Sequence, residues 1–160
     1  QAARALATAQ IDADSLPLSG LPGAPPSLGR ADSYVRAGIA ALSRLGPLDP
    51  GCAVVLSSTT GCRAADLRYH DTLLRGGPSA ASRTHFIYTI PGAPLAEASI
   101  LLGLRGPGLV LCDGAGRGET EARGLVARGE APQAVALHVE APEQHATASA
   151  TRGCGAASTR

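Results

Sequence analysis

The chain of 160 residues contains no lysine, methionine, tryptophan or asparagine. Every basic residue is an arginine, a bias that follows most simply from GC-rich coding and carries no chemistry of its own. A first residue other than methionine is expected where the start is processed, trimmed or incomplete. Aromatic rings are scarce: Tyr34, Tyr69, Phe86 and Tyr88 are the whole supply. A core must therefore be filled with Leu, Val, Ile and Ala. No run of about 18 apolar residues occurs, which excludes a membrane-spanning helix. The N-terminus lacks the charged-then-apolar pattern of a signal peptide. The net charge is only +1 and the arginines are scattered, so no basic stripe exists to follow a nucleic acid. The cysteines, Cys52, Cys62, Cys112 and Cys154, form no CxxC or CxxH pair, which argues against zinc. They read as free thiols of a cytoplasmic protein rather than as a disulfide framework. Neither a metal nor a cofactor is expected.

What is present is ordinary in amount and ordered in arrangement. Apolar residues make up 44% of the chain, enough for one α/β domain with its own core. Residues 1–30 are rich in Ala, Pro, Gly and Ser. A short helix is conceivable up to Gln10, and Leu16 to Gly29 reads as an extended lead-in broken by Pro and Gly. Ala31 to Leu45 predicts a helix capped by Asp32 or Ser33, with Tyr34, Val35, Ile39, Leu42 and Leu45 on one stripe. Cys52 to Ser58 is a nearly continuous apolar run, which suits a strand covered on both faces. Cys62 to Arg75 predicts a helix burying Ala65, Leu67, Leu73 and Leu74. A short apolar run from His85 to Ile90 ends at Pro91. A small-residue helix is predicted over Leu95 to Leu102, stopped by Gly103. Gln133 to Val139 predicts a further strand. After Glu140 the composition turns to Ala, Thr, Ser and Gly, and residues 141–160 are expected to form a low-complexity tail with weak packing. The alternation of helices and apolar strands predicts an α/β domain with a mixed, largely parallel sheet flanked by helices.

The chain is organised around Thr84 to Gly129. There the run Leu109 to Cys112 enters a glycine-rich elbow, Gly114-Ala115-Gly116-Arg117-Gly118, followed by a helical pattern. A sharp turn after a buried strand delivers one side chain to a cleft. Three chemistries compete for it. Cys112 is a nucleophile if a helix N-terminus or a histidine activates it, and otherwise a buried strand-end thiol. Gly114, Gly116 and Gly118, with Glu140 beyond them, resemble a dinucleotide fingerprint, although the spacing is not GxGxxG and Asp113 adds negative charge beside the phosphates. The histidines His70, His85, His138 and His145 have no i, i+4 partner for a metal, and His138 on an apolar strand reads as a hydrogen-bonded core residue. Ser57-Ser58-Thr59-Thr60 suits either a turn or an anion. Glu97 is either exposed or paired across an interface.

The order of these motifs resembles the N-terminal half of a β-ketoacyl synthase of the thiolase fold. The correspondence runs over roughly residues 29–140. It takes in the helix Gly29 to Leu45, the strand Ala53-Val54-Val55-Leu56-Ser57-Ser58 with Gly61, and the helix with Tyr69 to Leu74. It continues through Phe86-Ile87-Tyr88-Thr89-Ile90-Pro91, the helix Ala96 to Ile100, Gly103 to Pro107, and the elbow. In active members the nucleophilic cysteine lies about eight residues beyond the Gly-Pro pair. Counted from Pro107 that position is Ala115; counted back from Gly129, Cys112 fits better. The first alignment keeps the strand length and the final glycine of the elbow. The two catalytic histidines belong to a C-terminal half that the correspondence does not reach, and neither His138 nor His145 stands in their sequence context.

The resemblance therefore implies a half thiolase-like domain over residues 31–140 without a complete catalytic set. It looks like a chain-length-factor-like subunit that pairs with an active ketosynthase in polyketide or fatty-acid-type assembly and meets an acyl carrier protein through that complex. The strand Leu109, Val110 and Leu111 would pair across the dimer. Tyr88, Thr89, Pro91, Leu95, Leu109 and Ala115 would line the interface or the acyl tunnel. The rival readings are a thiol-dependent acyltransferase or condensing enzyme using Cys112, and a dinucleotide-binding domain.

Overall fold

The computed structural model of the chain describes residues 8–12, 31–141 and 146–154. Five strands form one sheet in the order β1-β5-β4-β2-β3. They are β1 (Thr8–Asp12), β2 (Ala53–Ser57), β3 (Gly108–Leu111), β4 (Gln133–Glu140) and β5 (Thr147–Cys154). β2 is parallel to both β3 and β4, whereas β5 is antiparallel to β4 and to β1. β1 therefore runs with β4, and β5 alone opposes the rest. The helices are α1 (Ser33–Arg44), α2 (Arg63–Gly76), α3 (Arg83–Ile87), α4 (Ala93–Leu102) and α5 (Ala115–Ala127). The sheet is mixed and largely parallel, flanked by helices, as the sequence predicts.

Side-chain size decides how the faces are covered. All five residues of β2 are buried, because helices lie on both sides of it. Val54, Leu56, Val135, Leu137 and Val139 point into the larger core with α1 and α4. Ala53, Val55, Ala134 and Ala136 form a thinner core under α5, with Ala122 and Leu125. The branched residues fill one face, and alanines let α5 approach the other closely. α1 starts where the Asp32 carboxylate accepts the Val35 amide at 3.1 Å, satisfying one orphan donor of its first turn. Burial raises the Asp32 carboxyl above its usual value, against the lowering by the Val35 amide and the Arg68 guanidinium. At the lead-in to β3 the backbones of β2 and β3 cross: a Cβ on Gly106 would stand 2.3 Å from the Cys52 carbonyl oxygen, so only glycine fits.

Several expectations need correction. Residues 8–12 form a strand, so the stretch up to Gln10 is not helical there; the remainder of residues 1–30 lies outside the described residues. The short apolar run from His85 to Ile90 begins in a helix, α3, and of it only Tyr88 joins the core. Ser82 caps a short helix there by accepting the His85 amide at 3.2 Å, and Phe86, Ile87 and Ile90 are left exposed. On α2 the buried positions are Ala64 and Ala65, while Leu67 and Leu74 lie 55% and 73% exposed on the opposite side. The stretch after Glu140 is not weakly packed throughout. β5 is inserted between β4 and β1, with Ala146, Ala148 and Ala150 buried.

Candidate functional site

β3 ends the sheet. It pairs with β2 alone among the described residues, so one edge of its backbone meets no other strand. Leu109 and Val110 remain 37% and 39% exposed. The segment Pro91 to Leu95 packs behind it. A Cβ on Gly108 would meet Leu95 Cδ2 at 2.8 Å, and one on Gly92 would meet Val110 Cγ2 at 3.5 Å. The Pro91 carbonyl is fixed by the Tyr34 hydroxyl at 3.1 Å. α4 is apolar almost all round, the pattern of a helix that expects cover on every side, yet its Ile100 is 79% exposed. Of the residues expected at an interface or tunnel, the structure brings Leu95, Leu109, Val110 and Leu111 together. Tyr88 lies in the core on the α1 side, and the Thr89 carbonyl accepts the Cys62 thiol at 3.1 Å.

The elbow follows directly. Cys112 is exposed and lies past the end of β3, not buried within it. Gly114 is the cap of α5 and Ala115 its first residue, so the turn presents a methyl group at the helix start. Gly116 and Gly118 lie inside the first turns of α5, which removes the open glycine loop a pyrophosphate would need. Gly118 is there for contact: a Cβ would stand 2.9 Å from Ser57 Oγ.

Beneath this contact is a polar chain that the sequence reading did not assemble. Ser57 Oγ is 3.0 Å from His138 Nδ1, and His138 Nε2 is 3.3 Å from Glu140 Oε1. The Glu140 carboxylate accepts the amide and hydroxyl of Thr59 at 2.7 and 2.9 Å, and those of Thr60 at 2.9 and 2.6 Å. Burial works to raise the Glu140 carboxyl, but the Thr60 and Thr59 hydrogen bonds outweigh it and hold the group below the usual carboxylate value. Glu140 thus clamps the loop after β2 and is not left open for a ribose. The period-2 alternation of β4 places His138 and Glu140 on one face at the strand's carboxyl end, and that was the available signal. Ser57 is buried, so the chain Ser57–His138–Glu140 offers no open nucleophile.

Two buried groups are held away from ionisation by their surroundings. Burial, with the Asp66 carboxylate beside it, pushes the Cys62 thiol up to about 11, away from thiolate chemistry. Burial also raises the Tyr34 hydroxyl well above its ordinary value. His70 is exposed, His85 half-buried, and His145 outside the described residues. Glu97 is half-buried on α4. Among the described residues no group of three or more His, Cys, Asp or Glu could hold a metal ion, and no helix is long and apolar enough to cross a membrane.

No family model matches the sequence, and no curated protein matches it either. Solved structures do match its fold. A chain of the complex of the ketosynthase ApeO with its chain length factor ApeC from Xenorhabdus doucetiae is similar over 89% of this chain, with a TM-score of 0.66 and 18% identity. A chain of the ishigamide ketosynthase/chain length factor is similar over 91%, with a TM-score of 0.70 and 14% identity. A chain of AntDE:AntF, a type II polyketide synthase acyl carrier protein in complex with its ketosynthase bound to the hexaketide, is similar over 84%, at 0.65 and 15%. The matches cover 66%, 50% and 51% of those chains, so this chain spans half to two thirds of their length. The chain has the thiolase-like fold of ketosynthases and chain length factors.

Proposed function

We propose that the chain is a non-catalytic, chain-length-factor-like subunit that heterodimerises with an active ketosynthase and helps shape its acyl tunnel in polyketide or fatty-acid-type synthesis. The observation that carries this reading is the pairing of an unfilled edge at β3 with an elbow that begins α5 on Ala115. The free edge and the exposed Leu109 and Val110 suit addition of a partner strand. An alanine at the elbow supplies no nucleophile. Tyr88, Thr89, Leu95 and Leu109 are the proposed tunnel or interface positions, where one methylene too many in a packed pocket costs about 1–3 kcal/mol. The carrier protein reaches this subunit through the ketosynthase, in the cytoplasm. Co-expression with a full-length ketosynthase tests the proposal: the two should co-purify in equal amounts. A chain that emerges as a stable monomer from that co-expression is not such a subunit.

A second reading draws on the exposure of Cys112 beside the start of α5. As an acyl acceptor, Cys112 should react stoichiometrically with a thiol-alkylating probe at neutral pH and be protected by an acyl thioester. Reaction that is slow and indifferent to the thioester leaves the scaffold reading in place.

A further inference from the structure

We infer that residues 63–87 form a hinged lobe: α2 and α3 swing away from the sheet as one body about a neck made of Gly61–Cys62 and Tyr88–Thr89, and the Cys62 thiol on the Thr89 carbonyl is the catch that holds the neck shut. The hinge belongs to the chain itself and stands whatever partner the chain takes.

Burial is the first ground. Within residues 63–87 only Ala64 and Ala65 are buried, and neither α3 nor the single turn Pro78–Ala80 buries any residue. Two methyl groups are a small apolar hold for so long a segment, so parting the lobe from the core uncovers little apolar surface. α1 and β2, in contrast, are buried along most of their length.

The bonds of the lobe point inward. α2 and α3 pack chiefly on each other and on the turn between them. The Tyr69 and Phe86 rings lie 5.3 Å apart. A Cβ on Gly76 would overlap Ala80, so the turn is packed onto the end of α2. The Thr72 hydroxyl donates to the Tyr69 carbonyl, Arg75 pairs with Asp71, and Ser82 Oγ accepts the His85 amide. Among the described residues one side-chain bond crosses from the lobe to the start of α1, Arg68 Nη2 to Asp32 Oδ2 at 3.1 Å. A pair open to water on its arginine side is a weak tie.

The ends are fixed. On entry, Glu140 holds the amides and hydroxyls of Thr59 and Thr60, and Ser58 Oγ accepts the Gly61 amide at 2.7 Å. On exit, the Tyr34 hydroxyl holds the Pro91 carbonyl. Directly after the first anchor stands Gly61 at φ +54°, where glycine is unstrained and the chain can pivot. Inside the anchors the two sides of the neck touch: Cys62 Sγ donates to the Thr89 carbonyl at 3.1 Å and lies 3.5 Å from Asp66 Oδ2. A thiol is a weak donor, so the catch is releasable. Release uncovers Cys62, Ala65 and Tyr88 of the larger core, while β2, β4 and the Glu140 clamp stay in place.

Two buried thiols read the opening. Cys52, just before β2, is 1% exposed and Cys62 5%, so a static chain shields both. In the folded full chain, iodoacetamide followed by peptide mass spectrometry should label Cys62 about tenfold faster than Cys52, which waits for global unfolding. Equal rates overturn the hinge, and this reading needs no variant. In hydrogen exchange the amides of α2 and α3 should exchange in step, about a hundredfold faster than those of β2 and β4. Cys62→Ala, which removes the catch, should speed both helices alike, by about fivefold, with β2 and β4 unchanged; Cys62→Ser, which keeps a donor, should stay near the parent. Faster exchange in α2 without α3 would mean a fraying helix rather than a lobe, and an equal rise in all four elements would mean that the thiol only supports the whole fold. Either result sinks the inference.

Discussion

Glu140 serves four donors from one loop, and replacing it with Gln leaves amide hydrogens facing amide and hydroxyl hydrogens. Charge-assisted bonds of this kind are worth more than neutral ones, so Glu140→Gln should cost about 2 kcal/mol at pH 7. The pH dependence has a definite sign. The folded carboxyl titrates below the 4.5 of a free Glu, so its stabilisation is complete above that value and is lost as the pH falls through the folded one. Thermal melts of parent and variant should therefore lie furthest apart at neutral pH and converge in acid; a constant gap would mean the charge contributes nothing. Gly118→Ala tests the neighbouring contact. Its methyl group would meet Ser57 Oγ, which is also bonded to His138. The expected loss is about 1–3 kcal/mol, and smaller in a Ser57→Ala background, where the oxygen is gone.

At the level of elements, the sequence was legible wherever large side chains mark a period. α1, β2 and β4 were predicted close to where they form, because large aliphatic side chains recur there at helical or strand spacing; α5 was placed by its position after the elbow. α2 was misread for a stated reason. Leu67 and Leu74 make a seven-residue stripe that looks like a core face, but the buried positions are Ala64 and Ala65, and it is Ala65 that joins the core. Leu67→Ala and Leu74→Ala should each change the unfolding free energy of the isolated chain by no more than about 0.5 kcal/mol. Leu42→Ala, on the buried face of α1, should cost about 2–5 kcal/mol in the same chemical denaturation. β5 was missed because its inward residues are alanines. The alternation Thr147, Ala148, Ser149, Ala150, Thr151 has strand period, but its hydrophobic contrast is too small to stand out from low complexity. The candidate site was half legible. Leu109 to Leu111 and the elbow could be found by motif order, whereas the Ser57–His138–Glu140 chain joins residues 81 positions apart through sheet register.

For the whole molecule, the order of elements carries the likeness to ketosynthases and chain length factors although identity falls to 14–18% in the matches described. Fold alone does not supply a reaction. Ala115→Cys should accordingly give a thiol that alkylates in a mass-spectrometric assay, yet no condensation of acyl thioesters by the chain on its own. The open margin of the sheet at β3 has a consequence for the life of the protein in its cell. A solitary copy is a template on which like strands can stack, so surplus copies become substrates for chaperones and proteases or collect as insoluble material. Under the proposed pairing with a ketosynthase, its steady abundance should then track that of the partner, and matched synthesis of the two, more than either promoter alone, should set how much of it survives.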